Sequence, residues 1–169
     1  MHVDFDQLPE DARVWVYQAS RQMTVNEINR ARKVLESFTN DWAAHGSPLR
    51  SSFKFLHDRF VLIAVDEGLN MASGCSIDSS VHVMKLIGDE TGIDFFDRTH
   101  VPFLISEDVV LIKRTELKEK YRSGVWNGTT RTFNTLAQTV REIRNQWLME
   151  AEKTWLRRYM QESRIDSLN

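Results

Sequence analysis

A chain of 169 residues with 41% hydrophobic content is long enough to form a domain that buries roughly 70% of the surface its unfolded form exposes. Its single cysteine excludes an internal disulfide framework, and 22 Lys and Arg against 24 Asp and Glu leave a net charge of −2, too small to pull on nucleic acid or an anionic membrane at long range. No stretch approaches the ~20 apolar residues of a membrane span, and Met1-His2-Val3-Asp4-Phe5-Asp6 lacks the basic and apolar regions of a signal peptide, so a cytoplasmic protein is expected.

Pro9-Glu10-Asp11 is a turn signal, and Arg13 to Gln18 alternates β-branched and aromatic residues, which predicts a first strand. Thr24 and Glu27 have capping-box spacing, and Ile28, Ala31, Leu35, Phe38 and Trp42 mark one face of a helix that stops at Gly46 and Pro48. Ser51 to Leu56 and Phe60 to Val65 are strand-like runs with only His57-Asp58-Arg59 between them, which predicts an antiparallel hairpin. A polar stretch then leads into a second helix from about Ser76 to Asp89, with Ile77, Val81, Met84 and Ile87 inward.

After an irregular link over Ile93 to Arg98, strands are predicted at Val101 to Ile105 and Val109 to Ile112, a short helix at Glu116 to Arg122, and a further strand at Thr130 to Asn134. Val140, Ile143, Trp147, Ala151, Trp155 and Tyr159 keep helical spacing, which predicts a C-terminal helix of up to ~25 residues from Leu136 to about Glu162.

Strand, helix, strand, strand, helix, strand is the order of the α+β, ferredoxin-like split β-α-β sandwich. The expectation is one domain over 1–169: a βαββαβ core over 1–106, a short β-α-β extension over 107–135 and a C-terminal helix over 136–169. The unbroken apolar run Phe60 to Val65 reads as a strand buried on both faces and lying parallel beside the first.

Parallel neighbours deliver their ends to one edge of the sheet. Gln18, Ser20 and Arg21 from the first junction would there meet Asp66, Glu67, Asn70, Ser73, Cys75 and Ser76 from the second. Helix N-termini carry unpaired N–H groups and a partial positive charge, so this edge is the predicted site for a small anionic metabolite, built from Gln18, Arg21, Asp66, Asn70, Ser73, Cys75 and Ser76. The same residues also fit a structural reading, in which Asn70, Ser73 and Ser76 cap and close a tight loop and Asp66 pairs with Arg21.

Cys75 is the candidate nucleophile, but a thiol needs a base within hydrogen-bond reach, and His82 stands seven residues on, about 10 Å along one helix. A small inert thiol is the alternative. His2, His45, His57, His82 and His100 are scattered and no Cys-x-x-Cys exists, so no structural metal is expected and no cofactor is assigned.

The sequence contains no Gly-Lys dipeptide and hence no P-loop, and neither a Gly-x-Ser-x-Gly elbow nor a Gly-x-Gly-x-x-Gly fingerprint. Trp147 and Trp155 with Arg144, Arg157 and Arg158 would suit a stacking surface, or else a buried helix face with basic residues snorkelling beside it, or a subunit contact. From Leu136 onward six basic residues meet five acidic ones, and nucleic acid is not expected as a partner.

Arg13 to Gln18, Asp41-Trp42 with His45-Gly46, and Val65-Asp66-Glu67 followed by Asn70 and Ala72 to Asp78 resemble a family of small bacterial proteins often labelled "ABC transporter ATPase". The resemblance spans roughly the first hundred residues and continues faintly through Phe133-Asn134 and the Trp155 region. It implies that the two junctions hold the family's recognisable residues; it brings no activity, and without a P-loop ATP binding is not carried over. Two functions remain from sequence: a small-molecule or anion site at the sheet edge, or a non-catalytic interaction module or homodimer.

Overall fold

The structure, a computed structural model, describes residues 1–68 and 70–160. In chain order the strands are β1 (Arg13–Gln18), β2 (Ala43–Ala44), β3 (Ser47–Pro48), β4 (Arg50–Leu56), β5 (Phe60–Asp66), β6 (His100–Ile105), β7 (Asp108–Lys113), β8 (Arg131–Phe133) and β9 (Leu148–Glu150). The α-helices are α1 (Val25–Asp41), α2 (Gly74–Thr91), α3 (Leu117–Arg122) and α4 (Val140–Gln146). The chain divides into two compact units, Met1–Asp97 with Thr135–Trp147 and Arg98–Asn134 with Leu148–Asn169, where the sequence reading placed breaks at 106 and 135.

In the first unit β1, β5 and β4 form a three-stranded sheet in that order. β5 is the middle strand, and Phe60, Val61, Leu62, Ile63, Ala64 and Val65 are all fully buried. Val61, Ile63 and Val65 join Tyr17, Phe53, Ala31 and Leu35 of α1 and Val83, Met84 and Ile87 of α2 in one core; Leu62 and Ala64 join Val14, Phe5, Leu8 and Val140 and Ile143 of α4 in another. Burying each large side chain contributes about 2 kcal/mol, so this strand is the main anchor of the unit.

Strand direction corrects the sequence expectation. β1 runs antiparallel to β5, with Arg13 opposite Val65 and Gln18 opposite Phe60, and β4 is antiparallel to β5 on the other side. The reason is topological: the crossover through α1 returns the chain so that β1 and β4 point the same way, and the tight turn after β4 sends β5 back between them. A run buried on both faces reports coverage, not direction.

The ferredoxin-like order is not completed. Its fourth strand, predicted at Val101 to Ile105, is β6, and it lies in a separate antiparallel sheet of order β7-β6-β8-β9. At the β1 edge the chain before α4 is bound instead, through the Val14 amide to the Gln138 carbonyl at 2.8 Å and the Val140 amide to the Ala12 carbonyl at 3.0 Å.

The capping chemistry reads as expected. Thr24 and Glu27 close a capping box at the head of α1, and Ser73 accepts the Ser76 amide at the head of α2. α1 ends at Asp41, ahead of the predicted stop, because the chain turns through Ala43–Ala44 and Ser47–Pro48 with His45 and Gly46 both in the left-handed region.

The second unit packs around Trp126, which is fully buried, lies 5.2 Å from the Phe103 ring and 5.1 Å from that of Tyr121, and donates its indole N–H to the Leu117 carbonyl at 2.9 Å. Val101, Ile112, Leu117, Ala151 and Leu156 complete this core.

The long C-terminal helix does not form. A second capping box, Thr139 with Glu142, starts α4, which stops at Gln146; Leu148–Glu150 then pairs with β8, and Ala151–Lys153 and Trp155–Tyr159 are 3-10 turns. The residues of the predicted face meet different partners: Trp147 stands edge-on to Phe60 at 5.0 Å and Ala151 enters the core around Trp126, whereas Trp155 is exposed and its neighbour Leu156 is buried in its place. The Thr154 hydroxyl accepts the Leu156 amide, a cap where an unbroken helix would need an interior residue. The predicted helix end beyond Met160 lies outside the described residues.

Gly88 tests the packing at the end of α2. A Cβ there would sit 2.8 Å from the Ile93 carbonyl oxygen, which is backbone and cannot swing away. Gly88→Ala, normally stabilising in a helix by up to ~1 kcal/mol, is expected to destabilise by about 1–3 kcal/mol, read as a lower urea midpoint; an unchanged or raised midpoint contradicts the packing.

Candidate functional site

Antiparallel pairing divides the predicted site between the two ends of the sheet. Gln18 ends β1 beside Phe60, at the hairpin end, and Asp66 ends β5 at the other; six residues of strand put these ends roughly 20 Å apart.

At the hairpin end Arg21 is engaged structurally. Its guanidinium donates to both Glu27 carboxylate oxygens, at 2.7 and 3.0 Å, and to the Thr91 carbonyl at 2.9 Å. It therefore ties the capping box of α1 to the last turn of α2, where a cation meets the negative end of the helix dipole. The paired guanidinium, with the Thr24 amide, lowers the Glu27 pKa to about 2, and Glu27 in turn raises that of Arg21. Gln18 is buried in the sheet.

Antiparallel strands bring other residues to the α2 end. β1 and β4 both begin there, so Arg13 and Arg50, which the sequence reading did not select, meet the carboxylates that follow β5. Arg50 donates to Asp66 at 3.1 Å and to the Gln7 carbonyl at 2.8 Å, and Arg13 lies 3.7 Å from Glu67 and 4.7 Å from the centre of the Trp15 ring. The signal was available: each arginine is the first residue of its strand, and strand direction decides which end that is.

The loop polar groups serve the chain itself. Asp66 accepts the Gly68 amide, Glu67 accepts the Ala72 amide, Asn70 donates to the Pro48 carbonyl, and Ser76 returns a hydrogen bond to the Ser73 carbonyl while its own carbonyl accepts the Trp42 indole N–H at 2.9 Å. This is the capping-and-closing arrangement, with Arg50 in place of Arg21 as the partner of Asp66. Gly74 and Cys75 remain exposed at the head of α2, with open space over Gly74.

Chemistry is thinly supplied. Cys75 is exposed, and His82 is exposed two turns further along the same helix. Among the described residues no group of three or more His, Cys, Asp or Glu is placed to hold a metal ion, and no helix is long and apolar enough to cross a membrane. A groove of about 310 Å³ opens at the other end of α2, lined by Lys85, Asp89, Asp94 and Phe96 among others, and includes none of the seven predicted site residues.

The tail residues also separate. Arg144 donates to the Asp6 and Leu8 carbonyls and Trp147 packs on Phe60, both within the first unit. In the second unit Trp155 is exposed and has two guanidiniums over its ring, Arg158 at 5.0 Å and Arg114 at 5.1 Å; Arg158 also lies 5.3 Å from the Tyr159 ring centre. Arg114 is distant in sequence, and only the pairing of β6 with β7, which places it just after the sheet, brings it here.

No family model, curated protein or solved structure matches the chain.

The Arg21–Glu27 pair gives a pH signature. A carboxyl whose pKa drops from 4.5 to about 2 on folding stabilises the fold above pH ~4.5 and loses that contribution as pH falls toward 2. Wild type is expected to exceed Glu27→Gln in Tm at pH 6, with the gap closing between pH 4.5 and 2; a gap that stays constant with pH contradicts the assignment.

Proposed function

We propose that this chain is a non-catalytic binding protein that engages a partner through the surface around Trp155. The observation that carries this is a tryptophan left 36% exposed with two guanidiniums against its ring. Among the described residues neither Arg114 nor Arg158 forms a salt bridge. Tryptophan and arginine are the residue types that dominate binding energy at interfaces. Transporter-type ATP hydrolysis is not part of the reading, since the sequence has no P-loop, and among the described residues no base is hydrogen-bonded to the Cys75 thiol.

Sedimentation velocity and titration with heparin, a generic polyanion, test the surface. Wild type is expected to self-associate or to bind heparin, and Trp155→Ala to weaken whichever occurs by tenfold or more. If Trp155→Ala changes neither, the surface is not a binding site.

A second reading is favoured by the exposed Gly74 and Cys75 at the head of α2, an 18-residue helix, with Arg50 beside its loop. A helix N-terminus of this kind suits a small anion. Inorganic phosphate at ~100 times its Kd should then stabilise wild type by about 2.7 kcal/mol, and Arg50→Gln should lose most of that gain. Equal thermal shifts in both proteins, or none in wild type, rule this reading out.

A further inference from the structure

Whole-chain charge conceals a separation that the fold creates. Among described residues the second unit holds ten Lys and Arg against six Asp and Glu, and the first holds eleven against sixteen. The second unit is therefore basic although the chain is slightly acidic. Most of the excess lies in one stretch, 98–134, with seven Lys and Arg against four Asp and Glu; 148–160 adds three against two.

Part of that excess stands at the exposed aromatic ring. Arg114 precedes α3, Arg122 ends it, and α3 packs against the 3-10 turn that carries Trp155, Arg157, Arg158 and Tyr159. Glu116 and Glu119 lie on the same elements, yet Arg114, Arg122, Arg157 and Arg158 form no salt bridge with a described residue. Trp155 and Tyr159 meet edge to face at 6.0 Å. Two guanidiniums held at one ring without a described carboxylate partner are cations that an anionic ligand would neutralise.

We infer that this surface binds single-stranded nucleic acid, with bases stacking on the Trp155 ring and the guanidinium planes and phosphates taken up by Arg114, Arg157 and Arg158. The inference rests on the binding role proposed above for Trp155 and deepens it. An acidic peptide would satisfy the charges but has no flat π-face to use the ring, whereas every base has one. Stacking needs bases already out of a duplex, and the longest α-helix of this unit among the described residues, α3, has six residues, too short to read a groove by itself.

Fluorescence anisotropy with labelled 12-residue oligouridine and oligothymidine, in a salt series, tests it on the full chain. Binding is expected with a log–log salt slope of about −2, from three phosphates on a single strand. Trp155→Ala should weaken it by tenfold or more, Trp155→Phe should restore most of the loss, and Arg114→Gln or Arg158→Gln should each flatten the slope by about 0.7. Circular dichroism confirms that each variant is folded. A stronger response to oligouridine identifies RNA as the partner, and to oligothymidine DNA; either supports the inference. Binding of a polyglutamate peptide that depends on Trp155, with neither oligonucleotide bound, overturns the nucleic-acid inference and leaves the binding surface standing. Oligonucleotide binding indifferent to Trp155→Ala overturns the assignment to this surface, and no binding of any probe by a monomeric chain overturns both.

Discussion

Burial of β5 on both faces is the constraint on which the first unit depends. A strand whose every residue from Phe60 to Val65 is fully buried must have a strand on each edge and a covered layer above and below. α1 and α2 supply one layer; α4 and the N-terminal turn at Phe5–Gln7 supply the other. The edges fall to β1 and β4, and the crossover through α1 fixes both antiparallel to β5.

Direction then sorts the charges. Because both outer strands start where β5 ends, Arg13 and Arg50 arrive beside Asp66 and Glu67, and the half-buried carboxylates after β5 are neutralised locally. Arg21 is carried to the other end, where it joins Glu27 to the last turn of α2. Each end of the sheet thus balances its own charge with groups of its own unit, and what the first unit leaves open is the head of α2. Partly exposed pairs of this sort add little stability; their consequence is to hold Arg13 and Arg50 at one end of the sheet and Arg21 at the other.

Much of the local structure was legible in the sequence. β1 covers the predicted residues, the hairpin turn lies at His57-Asp58-Arg59, and Thr24 with Glu27 caps α1, because strand alternation and capping act within a few residues. Direction was not legible, since an apolar run looks the same whichever way its neighbour runs. The tail misled for a related reason: residues spaced like one helix face are divided between two cores, Trp147 packing on one and Ala151 and Tyr159 on another, while Trp155 is exposed. Of the predicted site residues, Asp66, Asn70, Ser73, Cys75 and Ser76 belong to one junction, while Gln18 and Arg21 lie at the opposite end. The basic unit was not legible because an expected single domain averages its excess, seven Lys and Arg against four Asp and Glu over 98–134, into a chain of net charge −2.

The direction of β1 against β5 is the claim that everything said of the first unit rests on, and interstrand nuclear Overhauser effects measure it directly. Backbone contacts joining Arg13 to Val65 and Gln18 to Phe60 are the predicted result. Contacts joining Gln18 to Val65 would mean that the strands run the same way, and the placement of Arg13, Arg21 and Arg50 given above would be wrong.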